Sequence, residues 1–227
     1  MIGFTCCVNY SDFLAITYPL NKRFFSEFAA VTSSEDIATQ SYCKDNGITL
    51  IISDSYKQGT FNRSAMLNKA IEHYANSNEW LVSMDSDVVM DVVDNVVLKD
   101  HVGLADWCSE DTLQEVLLGT QLDKDLIYGC PRKMIKDPCA VNVGTLRKNG
   151  YWFRYPYNLC AYLGYFQMFY KKSARNNEQC LNVNDSDTYF LNDNFGIDKA
   201  RTFRNLVCYH LGEDGVNWNG RVSKEWK

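Results

Sequence analysis

The tripeptide Asp85-Ser86-Asp87 directly follows the apolar run Trp80-Leu81-Val82-Ser83-Met84. Residues two apart project the same way while a chain is extended, so this spacing predicts two carboxylates delivered together. Such a pair repels unless a cation or a proton lies between its members. Hard divalent ions such as Mg²⁺ and Mn²⁺ take oxygen ligands and share them with a substrate diphosphate. The competing reading is a solvated turn, since Asp and Ser are ordinary turn formers. A second copy, Asp185-Ser186-Asp187, precedes Thr188-Tyr189-Phe190 with no strand leading into it. It is therefore not read as a metal site.

The elements around the first triplet favour the chemical reading. A strand is expected from Met1 to Val8, then a polar turn Asn9-Tyr10-Ser11-Asp12 and a short helix through Asn21. A second strand covers Phe25–Thr32. Ser33 and Asp36 fit an N-cap and capping-box pair for a helix that stops at Asn46-Gly47. Ile48–Ile52 reads as a third strand, near-continuous in branched residues and so buried on both faces. Leu67, Ala70, Ile71 and Tyr74 form one buried helical stripe. Trp80–Met84 is then the fourth strand of an alternating series. Such a series predicts a mostly parallel α/β sheet with right-handed crossovers and helices on both faces. Ligands bind beyond the carboxyl ends of such strands, which is where Asn9-Tyr10, Thr32-Ser33, Asp54 and Asp85–Asp87 fall.

Beyond about Asp100 the pattern loosens. A helix is expected over Asp111–Gln121, a short strand over Leu126–Gly129, an aromatic loop over Tyr151–Tyr157 and a strand over Gly164–Tyr170. A polar Asn/Ser/Asp stretch follows, and the last strand ends at His210. With 227 residues, no linker and no internal repeat, one domain is expected. Its regular half, 1–100, would bind the donor, and its irregular half, 101–227, would supply acceptor and catalytic groups.

Composition excludes several classes. Hydrophobic residues make up 46% and charged residues 22%, which is globular and not disordered. The balance of 23 basic against 28 acidic residues gives −5, which disfavours a protein built to neutralise nucleic-acid phosphates. No apolar run approaches the ~20 residues of a membrane span, and the opening segment lacks a signal-peptide pattern. Nine cysteines include no CxxC pair, and the wide spacing of Cys108, Cys130 and Cys139 is unlike a zinc knuckle. Free thiols and a cytoplasmic location are expected. The aromatic fraction, 14%, fits a site that stacks flat rings as well as it fits core packing.

The segment Glu79–Val88 resembles the DxD region of nucleotide-sugar glycosyltransferases with the GT-A (Rossmann-like) fold. Gly59–Asn68 is similar to the helix start that meets the donor diphosphate in family 2-like members. Tyr209-His210-Leu211-Gly212 with Gly215–Arg221 resembles the ending of compact viral and phage members. The resemblance implies that Asp87 binds the metal and that Asp85 reaches the donor ribose or the metal. It further implies that His210 completes the metal site; imidazole suits Mn²⁺ better than Mg²⁺. His73 and His101 are read as ordinary helix and loop residues. In inverting members a carboxylate from the region of the second triplet is the general base. Asp187 is the first choice and Asp185 the second, although Ser186 stands where Glu is common.

Location supplies the remaining candidates. Thr5 and Tyr10 lie where the base is received, with Tyr10 placed to stack on it. Ser33, Glu35 or Asp36 would bond uracil, unless Ser33 and Asp36 only cap their helix. Arg63, at a helix start, would hold the diphosphate, or else be an exposed helix arginine. Trp218 and Arg221 would close over the donor. Tyr151, Trp152 and Tyr165 would form an acceptor platform, or else pack in the core. The expected activity is metal-dependent transfer from a nucleotide-sugar, with UDP favoured, to an acceptor hydroxyl on a glycan, glycoprotein or other molecule, with inversion. Alternatives are an acceptor base in modified viral DNA, a metal-dependent phosphohydrolase, and a non-catalytic nucleotide-sugar or glycan-binding module. The phosphohydrolase ranks low because Asn9-Tyr10 places no carboxylate after the first strand.

Overall fold

The structure is a computed structural model that describes residues 1–57, 60–93, 122–136, 142–152, 164–180, 183–203 and 206–212. In chain order, the first half contains β1 (Ile2–Cys6), α1 (Ser11–Asn21), β2 (Glu27–Thr32), α2 (Ile37–Asn46), β3 (Thr49–Ile52), β4 (Tyr56–Lys57), β5 (Thr60–Phe61), α3 (Arg63–His73), β6 (Leu81–Met84) and β7 (Val88–Val92). The second half contains β8 (Ile127–Gly129), β9 (Arg132–Ile135), α4 (Val143–Asn149), β10 (Tyr151–Trp152), β11 (Phe166–Phe169), α5 (Val183–Asn194), β12 (Ala200–Thr202) and β13 (Leu206–Leu211).

A seven-stranded sheet runs in the order β12-β8-β11-β6-β1-β2-β3. The β6-β1-β2-β3 block is parallel, as the alternating sequence implies. The exception is β11, which lies antiparallel to both β6 and β8. Both halves of the chain therefore contribute strands to one sheet. Strand alternation separates its two faces. Ile2, Phe4, Ala29 and Val31 pack with Met66, Leu67, Ala70 and Ile71 of α3 and with Phe190 and Leu191 of α5. Phe28, Ala30, Val82 and Met84 pack with Leu14 of α1 and Cys43 of α2 on the other face. The expected Leu67-Ala70-Ile71-Tyr74 stripe is buried throughout. Each such large side chain contributes about 1.5–3 kcal/mol by leaving water.

A second, four-stranded sheet runs β10-β9-β13-β7. Its core joins Val89, Ile135, Leu146, Val207, Tyr209 and Leu211 to Phe13 of α1. The chain passes from the large sheet to the small one between β6 and β7, at Asp85-Ser86-Asp87.

Four sequence expectations change. β3 is an edge strand, so Leu50 and Ile52 are exposed and only one face of the strand is covered. The cap of α2 is Asp36, whose carboxylate accepts from the Thr39 N–H at 3.1 Å, while Ser33 lies outside the helix. Gly47 ends that helix in the left-handed conformation, as expected. The second Asp-Ser-Asp triplet belongs to a helix rather than a polar loop. Of the aromatic loop, Tyr151 and Trp152 form a short strand beside β9, and the rest lies outside the described residues, as does Asp111–Gln121.

Candidate metal site

The first triplet is a turn and not an extended segment, with the Val88 N–H reaching the Asp85 carbonyl at 3.3 Å. Convergence of its carboxylates therefore comes from packing rather than from strand geometry. The Ser86 carbonyl accepts from the Thr17 hydroxyl at 2.7 Å. Asn21 bonds β7 with both ends of its amide, donating to Val88 O at 2.7 Å and accepting from Met90 N at 2.8 Å. The Asp85 N–H donates to Tyr165 O at 3.1 Å. Pairing of β13 with β7 sets His210 opposite Val88, and the Leu211 N–H closes the corner on Asp87 O at 2.8 Å.

These contacts gather Asp85, Asp87 and His210 so that one ligand atom of each lies within 4.8 Å of the others. Asp87 and His210 are buried, and Asp85 is partly exposed. His210 Nε2 stands 3.5 Å from Asp87 Oδ1. Among the described residues, buried Asp87 Oδ1 and His210 Nδ1 have no hydrogen-bond partner. Buried polar atoms in this state are costly unless something else binds them. Burial pushes the Asp87 carboxyl above its ordinary pKa, His210 opposes that rise, and Asp85 adds to it. Two carboxylates and an imidazole make a donor set of the kind Mn²⁺ accepts, and the unsatisfied Asp87 oxygen fits a bound divalent ion.

Asp187 lies on the other side of Arg63. In a helix, residues two apart are separated by ~200°, so Asp185 is exposed while Asp187 is buried. Arg63, the first residue of α3, is itself buried. It donates from Nη1 to Asp187 Oδ1 at 2.8 Å and from Nη2 to Asp85 Oδ1 at 3.1 Å and to Gly164 O at 2.6 Å. Burial works against its charge, yet Asp187 and Asp85 hold its pKa above the ordinary value. The Asp187 carboxyl is pushed up by burial, with Arg63 and the Gly164 N–H pulling it back. A Cβ on Gly164 would lie 1.9 Å from Asp187 Oδ1, so any other residue there must displace that carboxylate.

Several expected donor contacts are placed otherwise. Arg63 is not an exposed helix residue: it is buried, and both of its terminal nitrogens bond within the protein. Thr5 is fully buried, with its hydroxyl turned to the Cys6 carbonyl. Asp36, besides capping α2, accepts from Asn9 N at 2.7 Å and Thr32 Oγ1 at 3.1 Å. It thereby anchors the turn after β1, where Asn9 adopts a positive φ of 58°. The Ser33 hydroxyl accepts from Glu35 N at 3.0 Å. Tyr10 is partly buried and stacks on Phe13.

Tyr165 is buried, with its hydroxyl donated to Cys130 O and the Arg132 guanidinium 4.7 Å over its ring, so it is no open acceptor platform. Tyr151 is exposed. Trp218, Arg221 and the Trp152 side chain lie outside the described residues.

Sequence reading missed Thr17, Asn21, Gly164 and Arg132. The first two carried a usable signal, a polar pair at i and i+4 on the buried side of α1. Arg132 opposes the rise in the Asp87 pKa, and only the pairing of β9 with β13 brings it near.

No family model matches the chain, and no curated protein matches it. Among solved structures, those of glucosyl-3-phosphoglycerate synthase from Mycobacterium tuberculosis are similar. Its complex with Mn²⁺, UDP-glucose and phosphoglyceric acid is 12% identical over 94% of this chain and 72% of that one, with a TM-score of 0.48. The complex with Mn²⁺, UDP and glucosyl-3-phosphoglycerate is 12% identical over 93% and 70%, with a TM-score of 0.45. A further structure of that enzyme is 11% identical over 98% and 73%, with a TM-score of 0.46. At this level of likeness the chemistry must be argued from the chain's own residues.

Proposed function

We propose that the chain is a metal-dependent glycosyltransferase that moves a sugar from a nucleotide-sugar, a UDP-sugar by preference, to an acceptor hydroxyl. The observation that carries this reading is the convergence of Asp85, Asp87 and His210 beyond the carboxyl end of β6, with a buried oxygen of Asp87 unbonded. When bound, a divalent ion supplies positive charge to the departing nucleoside diphosphate. Asp187 accepts the proton of the acceptor hydroxyl. The acceptor oxygen bonds to the anomeric carbon from the face opposite the diphosphate. The bond from that carbon to the diphosphate oxygen breaks, and its electron pair leaves with the nucleotide. Configuration at the sugar is inverted.

Tyr151, exposed near the end of β9, supports an acceptor whose sugar ring lies on an aromatic face. A glycan or glycoprotein hydroxyl fits the mildly acidic chain better than a nucleic-acid base does. The described cysteines are all free thiols, which fits a reducing, cytoplasmic setting. No helix among the described residues is long and apolar enough to cross a membrane.

The test is thermal melting with UDP and Mn²⁺. A raised melting temperature that Asp87→Ala abolishes is expected, and the absence of a shift with every nucleotide overturns the reading. One observation favours a second reading, a nucleotide-sugar-binding module without turnover. Asp187 is already ion-paired to Arg63, which weakens a base. Donor binding without transfer or hydrolysis would select that alternative.

A further inference from the structure

Arg63 contacts both Asp85, of the candidate metal set, and Asp187, the candidate base. It does so from a buried position at the start of α3, with the Gly164 carbonyl holding the same Nη2 that meets Asp85. Asp187 is not among the three converging ligands. The guanidinium therefore divides its charge between a carboxylate meant for a cation and one meant for a proton. From this geometry we infer that Arg63 is a positioning residue that couples divalent-ion binding at Asp85 to the charge of Asp187. The inference rests on the metal-site reading proposed above.

The coupling has a definite sign. With Asp187 ionised, Arg63 is largely neutralised, and Asp85 keeps its negative charge for a metal ion. Removing the charge of Asp187 leaves the full guanidinium charge on Asp85, where it competes with the ion and repels it. Coupling between sites of this kind is reciprocal and amounts to ~5–150-fold in affinity. Removing Arg63 together with the charge of Asp187 takes away one positive and one negative charge. The double change should restore what the single change lost.

The experiment is titration of the full chain with Mn²⁺ alone, following free Mn²⁺ by electron paramagnetic resonance and the bound ion by calorimetry. Circular dichroism checks the fold of each variant. Asp187→Asn should weaken Mn²⁺ binding by about tenfold, although it changes no ligand. Arg63→Met combined with Asp187→Asn should bring affinity back to within about threefold of wild type, a non-additivity that contact through Arg63 produces. Arg63→Lys, which keeps the charge and loses the two-sided contact, serves if the double variant does not fold. Its Mn²⁺ affinity should respond to Asp187→Asn by less than about twofold.

Unchanged affinity in Asp187→Asn, with wild type binding Mn²⁺, overturns the coupling and leaves the metal-site reading standing. Equal weakening in the single and double variants also overturns it, because Asp187 would then act on the ion directly. If wild type binds no Mn²⁺, the metal-site reading fails and the coupling fails with it.

Discussion

Asp85-Ser86-Asp87 turns the chain from a seven-stranded sheet into a four-stranded one, whereas Asp185-Ser186-Asp187 opens a helix. The residue types are the same, and the outcomes diverge. In the turn, both carboxylates approach His210, and Asp87 keeps a buried oxygen unbonded. In the helix, Asp185 is exposed, while Asp187 is buried against Arg63 and Gly164. A tripeptide thus acquires its chemistry from the backbone that carries it. The turn collects ligands, and the helix sorts one acid from the other. Arg63 touches both triplets, so neither is independent of its twin.

The comparison breaks most severely at Asp87. Asp87→Ala should abolish the UDP–Mn²⁺ stabilisation outright. That stabilisation is worth ~2.7 kcal/mol at a hundredfold excess over Kd, a shift of several degrees for a chain of this size. Without metal the same variant should melt no lower than wild type, because it loses a buried carboxylate with an unsatisfied oxygen. Differential scanning calorimetry with and without Mn²⁺ reads both effects, and retention of the UDP–Mn²⁺ shift would remove Asp87 from the metal set.

The helical triplet predicts an asymmetry in turnover. Asp187→Ala should lower kcat by about 10²–10⁴-fold, the usual contribution of a general base, and Asp185→Ala should change it by less than about twofold. The pH profile sharpens the assignment. A base works only when ionised, and burial raises the Asp187 pKa. The acid limb of kcat/KM should therefore lie above the ordinary carboxylate range, with activity lost as pH falls through it. Equal losses in the two variants would erase the distinction between the helix faces.

Smaller effects are expected in the scaffold. Gly164→Ala forces a Cβ into the Asp187 carboxylate and should cost ~1–3 kcal/mol by denaturant titration. Asn21→Ala unpairs the amide that bonds β7 at Val88 and Met90 and should cost about 1–3 kcal/mol. Thr17→Val, which removes one hydrogen bond to Ser86, should cost about 1 kcal/mol. If these two substitutions leave Mn²⁺ affinity unchanged, the DxD turn does not depend on α1 for its shape.

Much of the fold was legible because its signals are local. Apolar stripes and strand runs fixed α3, β1, β2 and β6, and Asn46-Gly47 marked a helix end that the left-handed Gly47 confirms. β7 escaped notice because Asp91 interrupts its apolar run. The structure buries that carboxylate by bonding it to Arg147 at 2.7 and 2.8 Å. β3 was misjudged because a branched run looks the same at an edge as in the centre, and only strand order decides which it is. Arg63 was legible as a helix-start arginine, but its partners stand 22 and 124 residues away.

By itself, the sequence determined an alternating α/β chain and the position of an Asp-Ser-Asp triplet after the strand β6, because hydrophobic periodicity and residue order are properties of neighbouring residues. The tertiary structure decided that the triplet is a turn between sheets, that β13 brings His210 beside it, and that Arg63 lies between the two acidic sites. Those are relations between residues far apart in the chain. Strand pairing and burial set them, and no spacing along a single segment encodes them.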